Sequence, residues 1–313
     1  TQMQQGMNIN MLFNLVNGTD VTARVRYVVG PVGSKAEYNS INDALAAADA
    51  SFPNDPVGIF VLPGTYTEDV FITRGDVSIE GFSLQSDNTV LQGNLELSPA
   101  TGNLSHYSVS HMVIKEGLFY TGEAAARVYT DNLNIDSSGT DPALGIGNEA
   151  DDSFFLGRNL RAIPQGSGVP VLIFTPSEGI EVIISGPNSI LRSTDASQTG
   201  VAAVALGGSL LNLLGPGLTV RGPIISDGLM NLVLDGVEIE HSDAPALIIG
   251  SEGFEQRVQR TTLFGIGQFN YSVDAIGQSV FQHYDLLDLG SPATDSINTA
   301  AFIQVRNLDL DEV

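Results

Sequence analysis

From Arg26 to Ile79 the apolar positions fall in short bursts separated by polar or Gly/Pro breaks. Tyr27-Val28-Val29, Ile59-Phe60-Val61-Leu62, Val70-Phe71-Ile72 and Val77-Ser78-Ile79 read as strands. One stretch has another period. Ile41, Ala44, Leu45 and Ala48 recur at helical spacing behind the capping box Ser40-Ile41-Asn42-Asp43. The spacing predicts a short amphipathic helix over Ile41–Asp49. Gly64, after Pro63, is expected to allow a tight turn. Tyr66 is expected to pack on the helix, and Glu68 to accept a hydrogen bond from turn backbone.

From Thr89 onward one pattern recurs: a strand with alternate apolar residues, a polar turn, a small residue and a second apolar run. Leu133-Asn134-Ile135 leads to Pro142-Ala143-Leu144. Leu160-Arg161-Ala162-Ile163 leads to Val169-Pro170-Val171-Leu172-Ile173. Ile190-Leu191 leads to Val201–Leu206, and Val237-Glu238-Ile239 leads to Ala244–Ile249. Repetition every roughly 20–50 residues is the mark of a solenoid, whose single coils cannot bury their apolar residues until they stack. Leu218-Thr219-Val220 and Leu232-Val233-Leu234 are read as coils lying between the marked ones. A β-sandwich also has many short strands, but it predicts neither the small-then-apolar run nor a helix at one end. The fold class expected is all-β, a right-handed single-stranded parallel β-helix with a short N-terminal capping helix.

The lead-in differs from the rest. Residues 1–26 are Gln- and Asn-rich, with Met7, Ile9 and Met11 alternating ahead of the turn Asn17-Gly18. A strand without a local partner finds one elsewhere. The expected organisation is therefore an arm or assembly segment over 1–26 and a β-helix domain over 27–313. The chain opens on Thr1 with no visible secretory signal, as expected of a mature or trimmed piece.

Composition narrows the function classes. The 13 basic and 36 acidic residues leave a net charge of −23, with Lys35 and Lys115 the only lysines. Such a surface repels phosphate backbones and anionic lipid, so no nucleic acid is expected as partner. No stretch approaches the length of a membrane span, so no membrane insertion is expected. The absence of Cys excludes disulfides, zinc–thiolate sites and thiol nucleophiles. With no Trp, sugar stacking would fall to Tyr and Phe.

Tyr38–Ala48, followed by Ile59-Phe60-Val61-Leu62-Pro63-Gly64-Thr65-Tyr66-Thr67-Glu68-Asp69-Val70, resembles the N-terminal signature of the pectin lyase-like superfamily. That signature has an aromatic, a helix opening Thr/Ser-Ile, and a strand ending Pro-Gly-Thr-Tyr-x-Glu. Val77-Ser78-Ile79-Glu80-Gly81-Phe82 looks like its next coil. The match covers 28–82, and beyond it only the rhythm agrees. The resemblance implies a parallel β-helix. It implies no single activity, because the fold hosts many roles. Val28–Ser34 is also similar to the opening of β-helix proteins of large viruses and phage appendages.

The Gln-Asp-Thr-Leu and Asp-Phe-x-Phe-Gly elements of pectin methylesterases are missing, and Phe155-Leu156-Gly157-Arg158-Asn159 departs from Leu-Gly-Arg-Pro-Trp after the Arg. Of the polygalacturonase elements only the adjacent pair Asp151-Asp152 is present. No catalytic residue and no organic cofactor is assigned. Glu149, Asp151 and Asp152 are a candidate loop site for Ca2+. Arg158, Arg161 and Arg192 would line one groove if their coils stack in register, and Tyr107, Tyr120 and Tyr129 are candidate sugar-stacking residues. His106 and His111, five apart, are expected on opposite faces of one strand. The reading expected is a non-catalytic structural or adhesive module of a virion or extracellular surface appendage. Its expected partners are cell-surface glycans or other appendage proteins, and its expected assembly a homo-trimer. The alternative is a polysaccharide-active enzyme.

Overall fold

The computed structural model describes residues 25–82, 88–99, 104–147, 150, 153–175, 180–194, 199–205, 210–222, 224–227, 231–241, 247–251, 255–259, 262–265, 271–275, 280–288, 296–299 and 302–310. The lead-in 1–24 lies outside them.

The strands stack into three parallel ladders. The first ladder begins with β1 (Val25–Val29), β2 (Val57–Val61) and β5 (Val77–Gly81), and continues through the leading halves of β8 (Ser105–Ile114), β10 (Ala126–Ile135) and β12 (Phe154–Ala162). It goes on through β14 (Glu181–Ser185), β17 (Leu210–Arg221) and β19 (Asn231–His241). The second runs through β3 (Gly64–Tyr66), β6 (Thr89–Leu91), the trailing halves of β8, β10 and β12, and β15 (Ile190–Arg192). The third holds β4 (Val70–Ile72), β7 (Asn94–Leu97), β9 (Gly117–Tyr120), β11 (Leu144–Ile146), β13 (Val171–Thr175) and β16 (Val201–Ala205). Every pairing is parallel, and each step along a ladder is one coil. This is the parallel β-helix expected.

Register produces the core. In the first ladder Tyr107, Val128, Phe155, Val182 and Leu211 follow one another coil by coil, all facing in and all fully buried. Burying each such side chain is worth about 1.5–3 kcal/mol. The column joins like with like because pairing is parallel, so one coil's apolar position sits on the next coil's.

The helix α1 spans Ile41–Ser51 and buries Ile41, Ala44, Leu45 and Ala48. Its first turn is held from two sides. Ser40 Oγ accepts from Asp43 N at 3.2 Å, and Glu68 accepts from Ile41 N at 2.8 Å, Asn42 N at 3.1 Å and Ser40 Oγ at 2.7 Å. At the other end Arg74 donates to Asp49 Oδ1 at 2.9 Å and to the carbonyls of Phe52 and Asp55, each at 2.8 Å. An acid thus sits at the positive end of the helix and a base at the negative end. The signature residues have physical jobs. Tyr66 is buried and donates its hydroxyl to Leu62 O at 2.7 Å. Gly64 opens β3 with Pro31 packed 3.3 Å from where a Cβ would stand, so close packing rather than turn conformation restricts it. At Gly81 the carbonyl of His111 occupies the place of a Cβ.

Between the first and second ladders the chain turns a corner on one residue. His111, Asn132 and Asn159 have φ of 57°, 50° and 52° and lie between matched positions of β8, β10 and β12. Asn tolerates this left-handed geometry better than most residues. Later coils place Gly217 and Gly236 there, with φ of 89° and 68°. The corner corrects the expectation for the two histidines. His106 faces outward against Asp76 at 3.2 Å, whereas His111 is the corner itself. Leu218–Val220 forms its own coil, as expected. Leu232–Leu234 does not: it is the leading half of β19, whose trailing half holds Val237–Ile239.

Candidate functional site

With the inward rows filled by core, chemistry is confined to side chains that point out. On the first ladder one outward row reads Phe60, Glu80, Ser110, Asp131, Arg158. Asp131 is its hub. It accepts from Arg158 Nε and Nη2, both at 3.3 Å, from Asn159 Nδ2 at 3.2 Å and from Asn132 Nδ2 at 3.3 Å. The carboxylate therefore ties the corner residues of two coils to an arginine. Glu80 is different. Burial raises its pKa to about 7 against the opposing pull of Arg26. The Arg26 guanidinium stands 6.0 Å from the Phe60 ring.

The second ladder carries a polar groove. Thr67, Gln92, Lys115, Glu116, Asp136, Ser138 and Gln165 line a hollow of about 580 Å³. Next to it Val90, Val113, Asn134 and Arg161 complete a hollow of about 300 Å³ that shares Lys115 and Asp136. Lys115 and Asp136 pair at 2.8 Å, and Ser138 Oγ bonds both Glu116 oxygens at 2.9 and 2.8 Å. The outward row of the third ladder is Phe71, Glu96, Phe119, Gly145 and Leu172, largely apolar. Its one carboxylate, Glu96, accepts from Thr121 Oγ1 at 2.9 Å.

The candidates from sequence divide along these faces. Tyr107 and Tyr120 point into the core, with no exposed surface. Their hydroxyls donate to Arg74 O at 2.9 Å and Ala126 O at 3.0 Å. Burial raises both, Tyr120 to about 12. Neither can stack on a sugar, which corrects that expectation. Tyr129 is one register position over from Tyr107's column and faces out, half-buried, with its ring 5.8 Å from that of Phe154. The three arginines do not share one groove. Arg158 stands on the first ladder, and Arg161, beyond the Asn159 corner, on the second. Arg192 lies a coil further on and beside Arg221 in register. Glu149, Asp151 and Asp152 fall outside the described residues. Among the described residues no group of three His, Asp or Glu is placed to hold a metal, and no helix is long and apolar enough to cross a membrane.

A helix clamped at its N-terminus by the Glu of Pro-Gly-Thr-Tyr-x-Glu, followed by three parallel ladders, decides the fold. It is a parallel β-helix. No family model and no curated protein matches the sequence. Among solved structures it is similar to ORF18 of Geobacillus virus E2, at 11% identity and a TM-score of 0.40 over 79% of this chain and 53% of that one. It thus spans about half the length of that viral protein. It is also similar to the pectin methylesterase PemA from Erwinia chrysanthemi, at 12% identity and TM-score 0.40 over 91% of each chain. A third likeness is to the pectate lyase Pel9A, at 12% identity and TM-score 0.37 over 94% of this chain and 80% of that one.

Sequence reading missed Glu80, Arg127, Phe154 and Glu181 as surface chemistry, because outward rows emerge only when the register is known. A signal was present. Asn132-Leu133-Asn134-Ile135, Asn159-Leu160-Arg161-Ala162 and Gly236-Val237-Glu238-Ile239 repeat one corner-plus-strand word that aligns the coils.

Proposed function

We propose that this chain is a non-catalytic structural or adhesive module of a virion or extracellular surface appendage, meeting its partners through the outer faces of the coils. One observation carries the reading. Four outward carboxylates among the described residues are engaged in hydrogen bonds or ion pairs within the fold. Glu68 holds the helix, Asp131 the corner, Asp136 holds Lys115 and Glu96 holds Thr121. A polysaccharide-cleaving site instead needs carboxyl groups free to trade protons or attack. A stack of coils paired in parallel suits an exposed appendage, and the lead-in 1–26 is proposed as a segment for assembly, with a homo-trimer as the proposed state.

A second reading rests on Glu80. Its raised pKa is what a general acid needs, and Asp131 follows it by two ladder steps, about 9.5 Å. That spacing fits an inverting hydrolase, whose carboxyl groups stand roughly 6.5–9.5 Å apart. Against it, Asp131 is already bonded to its neighbours, and Ser110 between them is only 2% exposed, which leaves no seat for a water. Incubation with pectin, polygalacturonate and neutral polysaccharides, with and without calcium, separates the two. No reducing ends, unsaturated products or methanol are expected. Turnover that disappears in Glu80→Gln would overturn the non-catalytic reading.

A further inference from the structure

The outer face of the first ladder also holds a hollow of about 720 Å³ lined by Leu104, Ala125, Arg127, Tyr129, Ser153, Phe154, Glu181 and Leu210. We propose that it is a binding site for one short oligosaccharide segment, with the Tyr129–Phe154 pair as its platform and Arg127 and Glu181 as its polar anchors. The inference rests on the adhesive reading above and gives that reading a place and a ligand class.

Register explains the arrangement. Arg127, Phe154, Glu181 and Leu210 occupy one outward row on four successive coils. Tyr129 begins the next row, two residues along β10 from Arg127. The rings of Tyr129 and Phe154 are 5.8 Å apart and tilted by 53°, so they form an angled floor rather than a closed stack. Both are half-buried, which fixes them without hiding them. Arg127 and Glu181 flank Phe154, one coil to either side, so two ladder steps of about 4.8 Å each keep them from neutralising each other. Glu181 is held in place by Asn212, whose Nδ2 donates to Oε1 at 3.1 Å.

The ligand that fits this pattern has an apolar face and hydrogen-bonding edges. A pyranose has both: its C–H face lies on an aromatic ring, and its hydroxyls donate to a carboxylate and accept from a guanidinium. A purely apolar ligand would leave Arg127 and Glu181 desolvated and unpaired, which is costly. A polyanion would meet Glu181 and a chain of net charge −23. The ligand class is therefore a neutral or weakly charged oligosaccharide. The volume lies in the usual range for small-molecule sites, roughly 300–1,000 Å³.

The test is an immobilised-oligosaccharide array probed with the intact labelled chain, followed by calorimetric titration of the best-bound oligosaccharide. Binding is expected, and Tyr129→Ala and Arg127→Ala are each expected to weaken it roughly ten-fold or more. Arg127 is exposed, so its substitution leaves folding intact. Arg161→Ala, on the second ladder, is expected to leave affinity unchanged. The site is overturned if no oligosaccharide binds, if both first substitutions leave affinity unchanged, or if binding is lost only with Arg161→Ala. A trimer that binds no oligosaccharide would sink the site and spare the assembly reading. A monomer that binds one would do the reverse.

Discussion

At the capped end of the rod, Glu68 meets the helix N-terminus with three donors within 3.1 Å, and Arg74 closes the other end on two carbonyls and a carboxylate. On the outer face of the first ladder, Glu80 stands in the next coil with burial raising its pKa to about 7. Both are single carboxyl groups of the same signature stretch, Glu68 in the turn between β3 and β4 and Glu80 on β5. One accepts three hydrogen bonds, and burial holds the other toward its neutral form. The difference shows that position in the coil, not residue type, decides whether an acid stabilises this fold or strains it.

The largest expected effect comes from breaking the satisfied side. Glu68→Ala removes a charged acceptor from two backbone N–H groups and a hydroxyl, and should cost about 3 kcal/mol in urea unfolding. Loss of less than about 1 kcal/mol would mean that water replaces it there.

Glu80 should behave in the opposite sense. Its folded pKa lies above the ordinary glutamate value of 4.5, so between about pH 4.5 and 7 the folded state holds more protons than the unfolded one. Its contribution is then fully present below the unfolded pKa and is lost as pH rises through the folded value. Glu80→Gln should therefore raise stability at pH 8 by on the order of 2 kcal/mol and change it little at pH 4. Equal effects at both pH values would contradict the burial of this carboxyl.

Asp131 belongs with Glu68 but is a weaker case, since its partners reach solvent. Asp131→Ala should cost about 1–2 kcal/mol, read as a shift of the urea midpoint. At the corner, Asn159→Gly should be close to neutral, whereas Asn159→Val should cost about 1–2 kcal/mol, because a branched side chain resists φ near 52°. The smallest effect is expected from Lys115→Ala. Its pair with Asp136 is half-buried and reaches solvent, and the loss should stay below about 1 kcal/mol and fade in salt.

Legibility in the sequence followed the same divide. The helix was readable because capping and periodicity are local: Ser40 and the Ile41–Ala48 stripe announce it within one segment, and it runs to Ser51, two residues past the expected Asp49. The role of Glu68 was readable in outline, as an acceptor of backbone N–H bonds, but not that the backbone was the helix. The surface was not readable. Arg158 and Arg161 look like neighbours on one groove, yet Asn159 between them turns the chain onto another face. Tyr107, Tyr120 and Tyr129 look alike in sequence, yet a one-position difference in register sends Tyr107 inward and Tyr129 outward. Coils of unequal length hide that register: Val57 pairs with Val77, but Val182 pairs with Leu211.

The central claim is that this rod is an assembling appendage module rather than a free enzyme. The most direct measurement is the solution mass by light scattering, on the full chain and on a form lacking Thr1–Val21. The account predicts a trimer that falls to monomer on truncation. A monomer in both forms would contradict it.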